Sequence, residues 1–274
     1  MTSTHLQVHV AQMNSVDDLA ANVAQVKSLL QQVPSSVEEQ LVCFPENSLY
    51  LKLKDKSAIP ALTLEESFWA EFSEIARAKN AVLHFGSVPL RGREKLLNSS
   101  VVLRPGGKPE ATYTKVHLFD IDVEGHKPVR ESENFEHGDG TSTFEVNGWL
   151  IGQSICYDLR FAELYSRYAK LAVDLILVPA AFLVPTGRAH WETLLRARAI
   201  ESQAFVIAAA QAGRHVGVGG DERMTFGHSL VVEPWGSVMA DGGPEGVKLL
   251  SVMLERAQIE KVRRQIPMSV HRRL

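Results

Sequence analysis

Short apolar runs alternate with stretches of helical spacing through most of this chain, and that alternation limits its fold more than any other feature. "LQVHVAQM" (6–13) alternates apolar and polar residues as a strand does. In "SVDDLAANVAQVKSLLQQV", apolar residues at 16, 19, 23, 26, 29, 30 and 33 line one helical face. Ser15 is placed to cap that helix, with Asp17 and Asp18 complementing its dipole in the first turn. "LVCF" (41–44) reads as a short buried strand stopped by Pro45, "EESFWAEFSEIARAKN" as a second amphipathic helix, and "AVLHFGSV" (81–88) as another strand.

"NSSVVLRPGGKPEATYTK" has the form of a hairpin turning at Pro105-Gly106-Gly107. Residues 116–143 are polar and rich in Gly, His and Glu, and read as a long functional loop. "WLIGQSIC" then predicts a strand, "RFAELYSRYAKL" a helix, "VDLILVP" (173–179) a buried strand and "RAHWETLLRARAIESQ" a helix. "AFVIAAAQ", "GHSLVVEPWGSVMA" and "VKLLSVML" complete the strand regions. The expectation is an α/β fold with mixed sheets flanked by helices, organised as a single domain over 1–274.

The balance of charges narrows the function. A formal net charge of −3 argues against a nucleic-acid partner, which would show a basic excess or stripe. No apolar run reaches the roughly eighteen residues that a membrane span needs. "MTSTHLQVHVAQMNS" has none of the regions of a secretory signal and reads as the first strand. Two cysteines without CxxC spacing form no disulfide framework, so a reducing, cytoplasmic setting is expected. The ten histidines show no ligand spacing, and no metal site is expected. "GVGGDE" (217–222) lacks the full dinucleotide-binding pattern and reads as a flexible surface loop.

One cysteine stands out by position. Cys156, in "WLIGQSICYDLRF", falls where the apolar run ends, at a junction that exposes side chains and offers backbone N–H groups to an oxyanion. Ser154, in "GQS", begins like a nucleophile elbow and is the alternative nucleophile, but Cys156 occupies the position where that motif needs a small residue. A thiol needs a base or a cation to attack a carbonyl. Glu46 directly follows "LVCFP", Lys115 ends the second hairpin arm, and Glu131 lies in the long loop; singly, each could be a solvated charge. Asp158 and Arg160 read as a structural ion pair, Arg198 and Glu201 as an (i, i+3) pair, and Cys43 as packed.

Together, "FPENSLY", "YTKVHLFD" and "GQSICYDLRF" resemble the Glu–Lys–Cys signature of the nitrilase, or carbon–nitrogen hydrolase, superfamily, with Glu131 similar to its second glutamate. The resemblance runs from "VHVAQMNS" to "IPMSVHRR". It implies an αββα sandwich pairing into a homodimer, and amide hydrolysis with no metal or organic cofactor. Cys156 is then the nucleophile, Glu46 the general base, Lys115 with the backbone N–H of Tyr157 the oxyanion partners, and Glu131 an orienting residue. "HLFDIDV" is shared with the ω-amidase branch, whereas "AAAQAGRH" followed by "GHSLVVEPWG" is closer to the branch that hydrolyses deaminated glutathione. For so acidic a substrate, Arg214, His215, Arg188 and His126 are the candidate binding cations, and His228 a structural histidine. The glycine-rich 216–224 stretch departs from the family pattern and reads as a mobile flap.

Overall fold

The computed structural model describes residues 3–53, 57–122 and 128–273. It begins with β1 (His5–Gln12), α1 (Leu19–Gln31), β2 (Gln40–Cys43), α2 (Phe68–Lys79), β3 (Ala81–Arg91), β4 (Leu96–Leu103) and β5 (Pro109–Thr114). The long loop carries a short pair, β6 (Asp120–Ile121) and β7 (Val129–Arg130), a 3-10 turn (Glu131–Glu133) and β8 (Phe135–Glu136). Then come β9 (Thr143–Val146), β10 (Trp149–Gln153), α3 (Ala162–Lys170), β11 (Leu175–Leu177), α4 (Val184–Ser202) and β12 (Phe205–Ala208). A hairpin of β13 (Ala212–Val216) and β14 (Glu222–Phe226) precedes β15 (Leu230–Val232), β16 (Val238–Asp241), β17 (Lys248–Glu255), α5 (Arg256–Gln265) and α6 (Met268–His271).

Two sheets result. The first runs β17-β1-β2-β3-β4-β5, with β8 beside β4; the second runs β16-β15-β12-β11-β10-β9. The centre of each is parallel, β1-β2-β3 in one and β10-β11-β12 in the other, and antiparallel strands close the edges.

Alternation along the central strands explains the layering. On β2, Leu41 and Cys43 face the second sheet while Val42, and Phe44 just past the strand, face α1 and α2. On β12, Phe205 and Ile207 face the first sheet while Val206 and Ala208 pack under α3 and α4. Both faces are therefore apolar, as buried parallel strands require, and the outcome is the αββα sandwich. Cys43 lies in the middle layer, where burial pushes its thiol far above the ordinary range. No helix among the described residues is long and apolar enough to cross a membrane.

Several boundaries differ from the sequence expectation. Asp18, not Ser15, caps α1, its carboxylate accepting from Ala21 N–H at 3.0 Å. Ser15 is instead buried and bonded to Gln211. α4 starts at Val184, before "RAHWE", because Pro185 suits the first helical turn. The glycine-rich stretch is the turn of the β13–β14 hairpin, since the residues on either side pair in register from Ala212↔Phe226 to Val216↔Glu222.

Candidate active site

The parallel strands of both sheets aim their carboxyl ends at one place. β10 stops at Gln153, three residues before Cys156, so Ser154 and Cys156 do not share a strand face. Ser154 Oγ is turned into the protein, 2.8 Å from Leu177 O and 2.9 Å from the Tyr165 hydroxyl. Cys156 adopts φ +49°, a left-handed conformation that costs a non-glycine residue about 1 kcal/mol or more. Its N–H donates to Pro179 O at 2.9 Å, and a 3-10 turn (Cys156–Arg160) begins there. The next N–H, that of Tyr157, has no acceptor among the described residues, as expected at the start of a helical turn.

The turn is held from below by Asp158, which is fully buried. Its carboxylate accepts from Ile155 N–H at 2.9 Å, the Tyr113 hydroxyl at 2.7 Å and His117 N–H at 2.9 Å. This corrects the expected Asp158–Arg160 pair: Arg160 reaches His190 and lies over the rings of Tyr157 and Phe182. The Arg198–Glu201 pair does form, at 2.8 Å.

Glu46, Lys115 and Glu131 converge on this turn from the first sheet. Lys115 follows β5, is 2 % exposed, and places Nζ 2.8 Å from Glu46 Oε1 and 2.9 Å from Glu131 Oε2. Glu46 Oε2 accepts from the backbone N–H of Ala181, beyond β11, at 2.9 Å. Glu131 Oε2 accepts from Phe119 N–H at 2.6 Å, which locks the long loop onto the site. Asn98, on β4, donates to Glu131 at 2.8 Å and to Glu46 at 3.3 Å. Sequence reading missed Asn98; its signal was an amide in a strand otherwise filled by apolar and hydroxyl residues, where Asn is disfavoured.

These distances set the charges. Burial favours neutral Glu46, but the Lys115 ammonium outweighs it and holds the carboxyl below its ordinary value. Burial opposes a charged Lys115, yet Glu131 and Glu46 together keep it well above the usual lysine range. Burial and then the Glu46 charge push the Cys156 thiol well above its ordinary value. The Lys115 charge acts to favour the thiolate but is overruled. The resting site is carboxylate, ammonium and thiol, an arrangement in which a base faces a proton donor beside a fixed cation.

A cleft of about 880 Å³ opens over Cys156, lined among others by Glu46, Lys115, Tyr157, Arg160, Ala181 and Arg223. Three of the expected binding cations are not at its walls. Arg214 points outward and pairs with Glu222 across the hairpin. His215 is buried between Ser15 O and Thr225 Oγ1, each at 2.7 Å, and burial lowers its pKa to about 4. Arg188 is exposed on α4. His126 lies outside the described residues. Arg160 and Arg223 occupy the cleft instead, and among the described residues neither has a carboxylate within ion-pair distance.

Comparison with known proteins places this geometry. A deaminated glutathione amidase of Yersinia enterocolitica is 35% identical over 271 residues, covering 97% of this chain and 92% of that protein. A human omega-amidase is 40% identical over 200 residues, covering 72% of this chain and 70% of its own. The crystal structure of the C. elegans NitFhit protein superposes with a TM-score of 0.87 at 32% identity, covering 100% of this chain and 66% of that one. The carbon-nitrogen hydrolase profile matches residues 7–264, so the strand ends that carry Glu46, Lys115 and Cys156 all fall within it, and the chain belongs to the carbon–nitrogen hydrolase family.

Proposed function

We propose that this amide hydrolase uses Cys156 as its nucleophile and acts on deaminated glutathione, releasing 2-oxoglutarate and cysteinylglycine. The observation that carries the reading is the Lys115–Glu46 contact of 2.8 Å, buried beside the Cys156 thiol at the floor of the cleft. As Sγ attacks the amide carbon, Glu46 takes the thiol proton. The tetrahedral oxyanion forms against the Lys115 ammonium and the free N–H of Tyr157. Collapse breaks the C–N bond, with Glu46 passing its proton to the leaving amine. Water, activated by Glu46, then hydrolyses the thioester. Glu131 orients Lys115.

The substrate part of the reading rests on charge and room. Deaminated glutathione carries a carboxylate at each end, and Arg160 and Arg223 are cleft cations with no carboxylate within ion-pair distance among the described residues. The likeness to deaminated glutathione amidase over nearly the whole chain supports it further. The likeness to an omega-amidase favours a second reading, in which the same residues act on α-ketoglutaramate or a related dicarboxylic acid monoamide. Homodimer formation in a cytoplasmic setting belongs to the proposal; exposed Ile200, Trp235 and Met239 supply apolar surface for the former.

The test is hydrolysis of deaminated glutathione, α-ketoglutaramate and a simple aliphatic amide, side by side, by wild type and Cys156→Ala. Dominant turnover of deaminated glutathione, abolished in the variant, is the expected result. Preference for α-ketoglutaramate moves the chain to the second reading. Turnover surviving in Cys156→Ala overturns the nucleophile assignment.

A further inference from the structure

Two carboxylates, Glu46 and Glu131, share the single ammonium of Lys115 in a buried site, which leaves one negative charge in excess. Charges so placed repel, and repulsion favours protonation of one of them. A proton on Glu46 would remove its capacity as a base. The group that could counter this must donate to both carboxylates without changing the net charge. Ser has one hydrogen to give, Asp would add a third negative charge, and a second Lys would alter the balance. A primary amide has two diverging N–H bonds and no charge.

Asn98 stands at that position. Its Nδ2 is 2.8 Å from Glu131 Oε1 and 3.3 Å from Glu46 Oε1. Ionised carboxylates only accept, so the amide nitrogen must be the atom facing them. Oδ1 is buried with no protein partner among the described residues, so the carboxylates alone orient the amide. The backbone of the same residue accepts from Lys115 N–H at 2.9 Å, which fixes the end of β5.

We infer that Asn98 is a positioning residue for Glu46: one amide hydrogen to each carboxylate keeps Glu46 ionised and aimed at the Cys156 thiol despite Glu131. The inference rests on the proposed reading of Glu46 as the base. The other groups facing Glu46 are Lys115 after β5, the Cys156 thiol, the Ala181 N–H after β11 and, at longer range, Arg223 from β14, with Glu131 across Lys115. All of these remain when Asn98 alone is replaced, so a change in Glu46 ionisation reports the lost amide.

The experiment is the rate of Cys156 alkylation by iodoacetamide from about pH 2.5 to pH 7, a range that brackets a carboxyl held below its ordinary value, read by mass spectrometry of the Cys156 peptide. Sulfur displaces iodide, and the thiol proton goes to Glu46, so the acid limb follows Glu46 ionisation whether or not a variant turns over substrate. Asn98→Leu, with the same branching but no donor, should move that limb up by about half a pH unit, a drop of about threefold at a pH on the limb. Asn98→Asp keeps the shape, guards against a folding failure of the first variant, and should move the limb at least as far. An unmoved limb in the folded variants, with Glu46→Gln removing the limb, overturns the role of Asn98 and leaves Glu46 as base. A wild-type limb in Glu46→Gln overturns the base reading and the inference with it.

Discussion

Asp158 grips His117 twice, accepting from its backbone N–H at 2.9 Å and lying 2.7 Å from its ring Nδ1. Because the same carboxylate also holds Ile155 and Tyr113, it ties the segment that carries Lys115 to the turn that carries Cys156. Asp158→Ala leaves these buried donors unsatisfied and should cost about 2–4 kcal/mol in chemical denaturation. Turnover should fall by about a hundredfold or more, since the cation and the thiol lose their common anchor. Wild-type stability and rate would show that the clamp is idle.

Gly86 sits where segments that follow strands of both sheets crowd together near the site. A Cβ built there would lie 2.2 Å from Phe44 O, 2.2 Å from Pro179 Cβ and 2.8 Å from Pro45 C, the residues flanking Glu46 and the Cys156 N–H acceptor. None of these can swing away. Gly86→Ala should destabilise by about 2–4 kcal/mol and lower activity in whatever fraction folds. Differential scanning calorimetry and the specific activity of the soluble fraction measure both.

The left-handed backbone of Cys156 separates strain from chemistry. Cys156→Ala and Cys156→Gly both lack the thiol, yet only glycine relaxes at φ +49°. The glycine variant should be the more stable of the two by about 1 kcal/mol, with both inactive. Equal melting temperatures would mean the turn is not strained in solution.

His84 and His215 are both buried and their pKa values are lowered to about 4, in each case chiefly by burial. In the unfolded chain each takes its proton near its ordinary value of 6.5. Between these limits the unfolded state binds more protons, so stability must fall as pH drops from about 6.5 towards 4, and is unaffected above that window. The loss is at most about 3 kcal/mol per histidine. Denaturant midpoints against pH, compared between wild type and His84→Leu, test it: the variant's slope should be shallower across that window.

Arg223, as a proposed substrate cation, should act on binding. Arg223→Ala should raise KM for an amide bearing a carboxylate by about 10–100-fold with kcat little changed, as a lost charge-assisted hydrogen bond implies. An uncharged analogue of the same amide should bind the variant as well as it binds wild type. Equal losses for both substrates would remove Arg223 from carboxylate recognition.

The period of the apolar residues made the layers legible, because strands buried on both faces carry apolar residues at every position. The ends were less so: nothing in "WLIGQSIC" says that pairing stops at Gln153 and that Cys156 turns left-handed. The cleft cations show why side chains on a hairpin resist such reading. Pairing sets His215 opposite Arg223 on the inner face and Arg214 opposite Met224 on the outer one, and a shift of one residue would exchange them. Glycines in the turn hid that register. Asn98 escaped because its role depends on two carboxylates from distant segments meeting around one lysine, a relation that exists only in three dimensions.

Glu46, Asn98 and Lys115 hang from the first sheet, while Cys156 and the Ala181 N–H hang from the second. Thiol and base therefore meet across the seam between two halves of the molecule. Activity is in this sense a gauge of how the sheets are seated: a slip of an ångström in the middle layer would part Sγ from its base with every side chain intact. Substitutions at Leu41, Phe205 or Ile207, deep in that layer and touching no substrate, become candidates for tuning the rate.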